Sequence, residues 1–298
     1  MSTEARAMAK RAAAAEGGLG KRIYAFLRAI PTWILWGLVV LWTIPTFGLF
    51  VNSFRPRDGQ RASGWWTVFT GSSEGGLTLD NYAKVLESGT TDSLADALLN
   101  SLAIAIPATI IPIAIAAFAA YAFAWIDFRG RELLFIATVS LLAVPLQVAL
   151  IPLLTTYSGG AHWTIPFLEK TITFFPDFNL SGSVTAVWLT PTGCGLPFAI
   201  FLLHNYISGL PADLFESARI DGADHFTIFW RLVVPLAVPV LAAFAIFQFL
   251  WTWNDYLIAL TMIGGNGPAF PVTVKIASQA GAFGQNEHLL TAGAFIST

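Results

Sequence analysis

A glycine–lysine pair near the amino terminus is the first place to look for chemistry in this chain of 298 residues. The segment GGLGKR, residues 17–22, has the Gly-Lys step with which phosphate-binding loops hold a nucleotide. Such a loop also needs a glycine five positions before that step and Ser or Thr after the lysine. Ala15 and Arg22 occupy those positions instead. The sequence therefore predicts a flexible cytoplasmic tail over 1–29, with no nucleotide site.

Other catalytic and metal-binding patterns are not found in the sequence either. It contains no His-Glu-x-x-His motif and no pair of carboxylates inside an apolar segment. His204 and Asn205 have no second histidine, cysteine or carboxylate placed to complete a metal site. Cys194 is the only cysteine and lies in an apolar run, where it behaves as a small hydrophobic residue. We predict that this chain is not an enzyme and has no catalytic residue, metal ion or cofactor of its own.

Four polar residues interrupt apolar segments of the chain: Gln147, Gln248, Asn254 and Asp255. A polar side chain buried in a bilayer is costly unless it is paired. Hydrogen bonds between helices are one explanation for these residues, and a polar path for a substrate is another. Asn254 and Asp255 lie near the end of a span, where solvation at the lipid headgroups is a third. The second explanation predicts that Gln147, Gln248 and Asn254 line a substrate path.

The elements that position these residues are predicted to be membrane helices. Hydrophobic residues make up 55% of the chain and charged residues 11%, whereas a soluble domain carries about 25% charged residues. A helix needs about 20 mainly apolar residues to cross a bilayer. Five segments satisfy this requirement, and a sixth begins near residue 289: 31–52, 97–126, 133–157, 184–206 and 235–262. We predict an all-α integral membrane protein whose transmembrane domain covers 30–298, with its sixth span truncated at the end of the given sequence.

Two features are predicted to interrupt this regular arrangement. Prolines such as Pro145 and Pro152 lie within the spans, where each removes a helical hydrogen bond and favours a kink. Such kinks suit helices that bend around a cavity, although proline is also frequent in membrane helices generally. Residues 158–183 predict an irregular outer loop.

Basic residues predict the orientation of the chain. Ten of the sixteen Lys and Arg residues lie in three segments: 1–29, 127–132 and 207–234. Because Lys and Arg are enriched in cytoplasmic loops, these segments are expected to face the cytoplasm. The chain is therefore predicted to be a multi-pass protein with its amino terminus inside. No basic stripe predicts binding to nucleic acid.

The segment PADLFESARIDGADHFTIFWRLVVP, residues 211–235, is a polar insert between two apolar spans. Pro211 suits a first helical position, and Gly222 suits a left-handed turn at the end of a helix. Asp224 can cap a second short helix, from His225 to Val234. The pattern therefore predicts two short helices that lie across the cytoplasmic face of the membrane.

This insert carries more apolar side chains than a solvated loop should expose. Two amphipathic helices lying on lipid are one explanation. However, the insert has four acidic residues and only two cationic ones, a balance that anionic lipid does not favour. A protein partner is the better explanation.

The insert resembles the EAA loop of bacterial ABC importer permeases. That loop has the pattern Glu-Ala-Ala, three residues, Gly, nine residues, Ile, one residue and Leu-Pro. This sequence has Glu216-Ser217-Ala218, Gly222, Leu232, Val234 and Pro235 at the same spacing. Further segments resemble the second permease subunit of maltose-type carbohydrate importers: NYAKVL (81–86), NSLAIA (100–105), AAYAFAWIDFRGR (119–131), PLQVALIPL (145–153), GLPFAIFLLHNYISGLP (195–211) and WND (253–255).

The resemblance implies a six-span permease core in the bacterial inner membrane, with a coupling helix from Ala212 to Ile220 that docks on a cytosolic ATPase. Glu216 and Gly222 would hold the position and bend of this helix, and Phe215 and Phe226 would fill the groove of the ATPase. The coupling residues implied are Phe215, Glu216, Ser217, Ala218, Asp221, Gly222, Ala223, Phe226 and Pro235.

The resemblance also implies the partners and the cargo. A second homologous permease subunit would complete a heterodimer surrounded by membrane lipid. Two ATPase subunits would bind ATP and magnesium, and an external solute-binding protein would deliver a sugar. The cargo would be an oligosaccharide or glucoside, with glycerol phosphate as an alternative. An ion-coupled secondary transporter is a further alternative, but the sequence shows neither a mid-membrane ionisable residue nor an internal repeat.

Overall fold

The computed structural model describes residues 31–71, 75–87, 93–165, 170–265, 267–279 and 286–297, so the predicted tail over 1–29 lies outside it. The helices before the first strand are α1 Thr32–Ser53, α2 Arg57–Ala62, α3 Thr67–Thr70, α4 Asp80–Leu86, α5 Leu94–Trp125, α6 Arg131–Ser140 and α7 Leu146–Gly159. Two strands follow, β1 Ala161–Ile165 and β2 Lys170–Phe175. The later helices are α8 Val184–Ser208, α9 Ala212–Ile220, α10 His225–Trp253, α11 Leu257–Ile263, α12 Val272–Gln279 and α13 Glu287–Ser297.

Long apolar helices dominate this fold. Among the described residues, four helices are long and apolar enough to cross a membrane, namely α1, α5, α8 and α10. The bent pair α6–α7 makes a fifth span if its two arms are counted together. Helices α1, α5 and α8 lie at the predicted spans 31–52, 97–126 and 184–206, with bounds that differ by at most three residues. The prediction of a largely helical membrane protein is confirmed.

The predicted span 133–157 is wrong as a single helix. It is broken between Ala143 and Leu146, and its two arms meet at an angle of 102°. Pro145 supplies no backbone N–H, and its ring excludes a helical carbonyl four residues earlier. The proline also forces Val144 into an extended conformation, with ψ of 115°. The consequence is a break in the chain direction, which is far more than the expected kink.

The predicted bounds of the fifth span, 235–262, are also wrong. Helix α10 runs through 29 residues from His225 to Trp253, so the second short helix of the insert is the first part of a span. The span ends at Trp253 because a polar pair follows it. Asn254 is the carboxyl-terminal cap of α10, and the Asp255 carboxylate accepts a hydrogen bond from the N–H of Ala259 in α11 at 3.1 Å.

The predicted irregular loop over 158–183 contains a β-hairpin. Strands β1 and β2 pair antiparallel, with His162 opposite Thr173 and Thr164 opposite Thr171. The hydroxyl groups of Thr164 and Thr171 lie 3.1 Å apart across the hairpin. Two adjoining cross-strand pairs of polar residues therefore stabilise a segment that the sequence reading left without regular structure.

Helices α5, α8 and α10 form the core of the unit that covers 82–298. Their contacts depend on small side chains, because Ala116, Ala120 and Ala199 are each fully buried. Small residues let membrane helices approach closely, where dispersion contacts replace the hydrophobic effect. The core therefore holds the two long helices that flank the polar insert.

The unit that covers residues 1–81 contains helices α1 to α3 and is organised around Arg55. This side chain is fully buried, and its guanidinium group donates hydrogen bonds to Asn52 Oδ1 and to the backbone oxygen of Ser63, both at 3.0 Å. Asn81 Nδ2 donates to the backbone oxygens of Ser53 and Arg55. Arg55 therefore ties the turns after α1 together.

Candidate functional site

Helix α9, Ala212–Ile220, is the centre of the predicted coupling site. It begins after Pro211, whose φ of −58° suits the residue before a helix. Asp213 lies in its first turn and Arg219 in its last, so both charges oppose the partial charges of the helix dipole. The Ser217 hydroxyl donates a hydrogen bond to the backbone oxygen of Asp213 at 2.8 Å. Ser217 at the second position of the motif therefore binds its own helix.

The end of α9 is a Schellman turn centred on Gly222. Gly222 has φ of +81°, a conformation that residues with a Cβ rarely adopt. Its N–H donates to the oxygen of Arg219 at 3.0 Å, and the N–H of Ala223 donates to the oxygen of Ala218 at 2.9 Å. These two bonds satisfy carbonyl groups that a helix end leaves without partners. The prediction of a left-handed turn at Gly222 is confirmed.

Asp224 begins helix α10 directly after that turn. Its Oδ1 accepts a hydrogen bond from the N–H of Thr227 at 2.9 Å, as an N-cap residue does. Hydrogen bonds from the Thr227 side chain and backbone hold the pKa of the Asp224 carboxyl below its ordinary value. The predicted cap is therefore confirmed, and a two-residue link separates the caps of α9 and α10.

Phe215 fixes α9 to the rest of the chain. Its side chain is 1% exposed, and its ring stacks on that of Trp125 with centroids 3.6 Å apart and an interplanar angle of 16°. Trp125 Nε1 also donates to the backbone oxygen of Ile207 at 3.1 Å. The expectation that Phe215 fills a groove of a partner is wrong, because this side chain is buried among residues of its own chain.

The first turns of α10 pack on α5 in a similar way. The hydroxyl of Tyr121 lies 2.9 Å from His225 Nδ1. Phe118 and Phe229 stack with centroids 4.4 Å apart. The three α5 residues Phe118, Tyr121 and Trp125 share one helix face, because they are spaced by three and four positions. The sequence analysis missed this aromatic face, although its helical spacing could have revealed it.

The remaining side chains of the insert form an exposed surface. Ile220 is 85% exposed and Phe226 is 66% exposed. Glu216 and Asp221 are exposed close to them, whereas Ala218 and Ala223 are half-buried beneath the turn. These apolar side chains and their acidic rim, which we call the docking face, are exposed among the described residues of the chain.

Pro235 has a local consequence inside α10. A proline in a helix removes one N–H and displaces the carbonyl four residues earlier. Directly before it, residues Phe229–Val233 form a π-helical turn, and the N–H of Val234 donates to Phe229 rather than to Trp230. The wider turn accommodates the proline without a break. The helix therefore runs from the docking face into the membrane span.

The three predicted path residues have different environments. Gln248 is 1% exposed, and its Nε2 donates to the backbone oxygens of Ala108 at 3.2 Å and Pro191 at 3.4 Å. Gln147 and Asn254 are exposed, and Asn254 Nδ2 binds the oxygen of Leu250 in its own helix at 2.8 Å. Among these described side chains no hydrogen bond joins one of the three to another.

The role of Gln248 follows from Pro112 in α5. In a regular helix the oxygen of Ala108 accepts the N–H of residue 112, and a proline there has none to donate. Gln248 supplies the missing donor from α10. Gly195 makes this approach possible, since a Cβ at that position would lie 2.9 Å from Gln248 Oε1. One amide therefore ties α5, α8 and α10 together.

Comparison with known proteins identifies the family of this chain. The family described as "Binding-protein-dependent transport system inner membrane component" matches residues 112–298, and the chain belongs to this family. The osmoprotective compounds uptake permease protein GgtD of Synechocystis is 49% identical over 263 residues, which cover 87% of this chain and 80% of GgtD.

A second relative and a solved structure agree with this assignment. The alpha-glucoside transport system permease protein AglG of Rhizobium meliloti is 36% identical over 351 aligned positions, covering 87% of this chain and 88% of AglG. The crystal structure of a bacterial ABC transporter that imports the acidic polysaccharide alginate matches with a TM-score of 0.66 at 18% identity. The match covers 93% of this chain and 92% of that one. At that identity the likeness shows a shared fold.

Proposed function

We propose that this chain is one permease subunit of an ATP-driven ABC importer and that it carries an oligosaccharide or a glucoside across the bacterial inner membrane. Family membership supports the transport function. The name of one relative supports the cargo, since AglG is an alpha-glucoside transport permease. Neither that name nor the name of GgtD supports the alternative of glycerol phosphate. The permease binds and moves its cargo, and it catalyses no reaction itself.

The subunit works in a complex with three other chains and with an external solute-binding protein. A second homologous permease completes the translocation path, and two cytosolic ATPase subunits bind ATP and magnesium. A solute-binding protein delivers the sugar on the outside. This arrangement requires the amino terminus and the docking face to lie in the cytoplasm, in agreement with the excess of Lys and Arg in the segments predicted to face that side.

The docking face is the observation that carries the coupling role. It exposes Ile220 and Phe226 within an acidic rim, and an amphipathic helix of this kind suits an apolar groove of a partner. Below this face, the stack of Phe215 on Trp125 joins α9 to the end of α5. The chain therefore offers the ATPase a helix that is exposed on one side and fixed on the other.

Helix α10 supplies the route from the docking face to the span. It starts at the Asp224 cap and continues to Trp253 without a break. When the ATPases close on ATP, the displacement of α9 passes along α10 into the membrane and moves the path between outward and inward access. A ligand shifts such an equilibrium only through its differential affinity for the two states, so the ATPase must bind the docking face differently with and without ATP.

A charge reversal on the docking face tests this role. Glu216→Lys changes one exposed carboxylate and leaves the Phe215 stack intact, so the chain should still insert in the membrane. We expect the ATPase subunits to be lost during purification of the complex, and sugar uptake to fall to background. Asp58→Lys is the matched control, because Asp58 is exposed in a segment predicted to face the opposite side. Normal uptake by the Glu216 variant at normal expression would refute the coupling role.

A second comparison separates this importer from an ion-driven transporter. Cells that lack the ATPase subunits should take up no sugar, whereas a carrier driven by an ion gradient would keep its uptake. Collapse of the membrane potential should leave uptake unchanged as long as the ATP level is maintained.

A further inference from the structure

A cavity of about 280 Å³ lies beside Gln248. Its walls come from α8, α10 and the break at the end of α6, and they include Leu142, Gly195, Phe198, Phe247 and Trp251. This volume is near the lower bound of about 300 Å³ for small-molecule sites in proteins. The walls are mainly apolar, with three aromatic side chains and very few polar groups, which is the usual composition of such sites.

The orientation of the Gln248 amide is fixed by its partners. Nε2 faces two backbone oxygens, those of Ala108 and Pro191, and only the nitrogen of an amide can donate to them. Oε1 is therefore on the other side, next to Gly195 in the cavity wall. Within the described part of the chain, this oxygen accepts no hydrogen bond. An acceptor that lines an open cavity and has no partner in its own chain can take a donor from a ligand or from water.

Trp251 adds a donor to the same cavity. It is half-buried and lines the cavity, and its indole N–H donates to no acceptor among the described residues. The residues that line the cavity therefore carry one acceptor and one donor without partners in the described chain, besides the flat faces of aromatic rings. An acyl chain of a lipid would satisfy neither polar group. A sugar ring satisfies both, since its hydroxyl groups donate and accept, and its C–H faces pack on aromatic rings.

We infer that this cavity binds one sugar unit of the cargo, with Gln248 Oε1 accepting a hydrogen bond from a hydroxyl group and with Trp251 and Phe247 against the ring. The inference rests on the proposed function, because it requires a carbohydrate cargo. It adds a defined subsite for that cargo in this subunit. The bonds from Gln248 Nε2 to α5 and α8 hold the accepting oxygen in place, so the subsite is preorganised by the same contacts that join the three spans.

Cys194 makes the subsite testable in the unmodified chain. It is the only cysteine of the chain and it lines the cavity. In the complete complex, with the cysteines of the partner subunits replaced by serine, a small maleimide then reports on the cavity alone. The complex is reconstituted in lipid nanodiscs with its solute-binding protein, and labelling is followed by mass spectrometry in the presence of trehalose, sucrose or maltose.

A sugar that fills the cavity should slow the labelling of Cys194. A ligand at about nine times its dissociation constant slows labelling about tenfold, since only the free site reacts. Glycerol at the same concentration is expected to have no effect. Uptake into proteoliposomes by the same complex identifies which of the three sugars is transported.

Variants of the cavity wall provide the second readout. Phe247→Ala should raise the KM for sugar uptake and abolish the protection of Cys194. Leu250→Ala is the matched control, because this neighbour on α10 is exposed and is not part of the cavity wall. Neither variant touches the bonds of Gln248. Gln248→Met removes the accepting oxygen together with the Nε2 donor, so it should reduce both the preference for a sugar over its deoxy analogue and the unfolding temperature.

The outcomes separate the subsite from the function. A sugar that is transported without protecting Cys194, together with an unchanged KM in Phe247→Ala, overturns the subsite and leaves the importer intact. Labelling that is slow in nanodiscs without sugar, and fast in detergent, identifies lipid as the occupant and also overturns it. If none of the three sugars is transported or stimulates ATP hydrolysis, the proposed carbohydrate cargo is wrong. The subsite, which requires that cargo, is then overturned as well.

Discussion

The two ends of helix α10 differ in what they leave unsatisfied. Near Asp224, the turn at Gly222 and the Asp224 cap both have their hydrogen bonds, and aromatic stacks join α9 and α10 to α5. What remains free is apolar surface on the outside, at Ile220 and Phe226. Near Gln248 the situation is reversed: the residue itself is buried, and the group without a partner is a polar oxygen beside an open cavity.

This difference matches two kinds of task. A surface that transmits the movement of a partner has to be rigid. Its hydrogen bonds and packing contacts within the chain therefore have to be complete in the absence of the partner. A surface that holds a moving cargo needs space and a polar group whose partner can leave. The two regions share one continuous helix. Substitutions should therefore separate assembly with the ATPase, which depends on the first region, from selection of the cargo, which depends on the second.

The largest effect is expected from Gly222→Pro. Proline fixes φ near −65°, whereas Gly222 has φ of +81°, so the Schellman turn cannot form. We expect the variant to insert in the membrane but to lose both ATPase copurification and uptake. Gly222→Ala should be impaired less, and Gly222→Asn least, because asparagine tolerates the left-handed region better than alanine does. Equal activity in all three variants would show that the turn does not position α9.

The next largest effects are expected from alanine substitutions of Phe215 and Phe226. Phe215→Ala removes a fully buried ring, which costs about 3–5 kcal/mol in protein cores, so the melting temperature of the complex should fall. Phe226→Ala changes an exposed ring and should leave that temperature unchanged, but it should weaken ATPase binding about tenfold, as the loss of an interface anchor does. Thermal unfolding and a titration with the ATPase measure the two effects. A large loss of stability in Phe226→Ala would contradict the assignment of the exposed face.

The contrast also explains which features could be read from the sequence. Gly222 and Asp224 were predictable because turns and caps depend on local residue types, and long apolar segments revealed α1, α5 and α8. The stack of Phe215 on Trp125 was not, since it joins positions that are ninety residues apart in the sequence. An amphipathic pattern shows that a residue is apolar, but it does not show whether the chain itself or a partner covers it.

The same limit applies to the second region. Pro112 predicts a carbonyl without a partner in α5, but nothing local shows that the donor comes from Gln248 in α10. Pro145 likewise predicts a disturbance of the helix, whereas the 102° angle between its arms depends on what each arm packs against. The β-hairpin after α7 was missed although β1, AHWTI, alternates apolar and polar residues as strands do. The pattern covers only five residues, and nothing in it shows that a second strand pairs with it.

Gly195→Ala should have an intermediate effect, confined to the second region. An added Cβ would lie 2.9 Å from Oε1 and 3.1 Å from Nε2 of Gln248, so the amide would have to move away from its two carbonyl partners. Such overpacking typically costs about 1–3 kcal/mol. Gly193→Ala is the matched control, because a Cβ at Gly193 meets no atom within 4 Å. Unfolding temperature and uptake should fall in the first variant only, while both should retain ATPase binding. If the two variants have the same unfolding temperature and the same uptake, the close approach of Gln248 to α8 contributes to neither stability nor transport.

The smallest effect is expected at the Asp224 cap, and it depends on pH. The hydrogen bonds from Thr227 lower the pKa of Asp224 in the folded chain, relative to about 3.9 for an unperturbed aspartate. A carboxylate with a lowered pKa contributes stability that is fully present above the unfolded-state pKa and is lost as the pH falls through the folded-state pKa.

Asp224→Asn keeps the capping oxygen, since asparagine caps helices as well as aspartate does. The variant should therefore match the original chain in uptake at neutral pH, and its unfolding temperature should decline less between pH 5 and pH 3. Asp224→Ala, which lacks the oxygen, should be less stable at every pH. Identical pH profiles for the original chain and Asp224→Asn would show that charge contributes nothing to this cap, leaving the hydrogen bond alone to fix the start of α10.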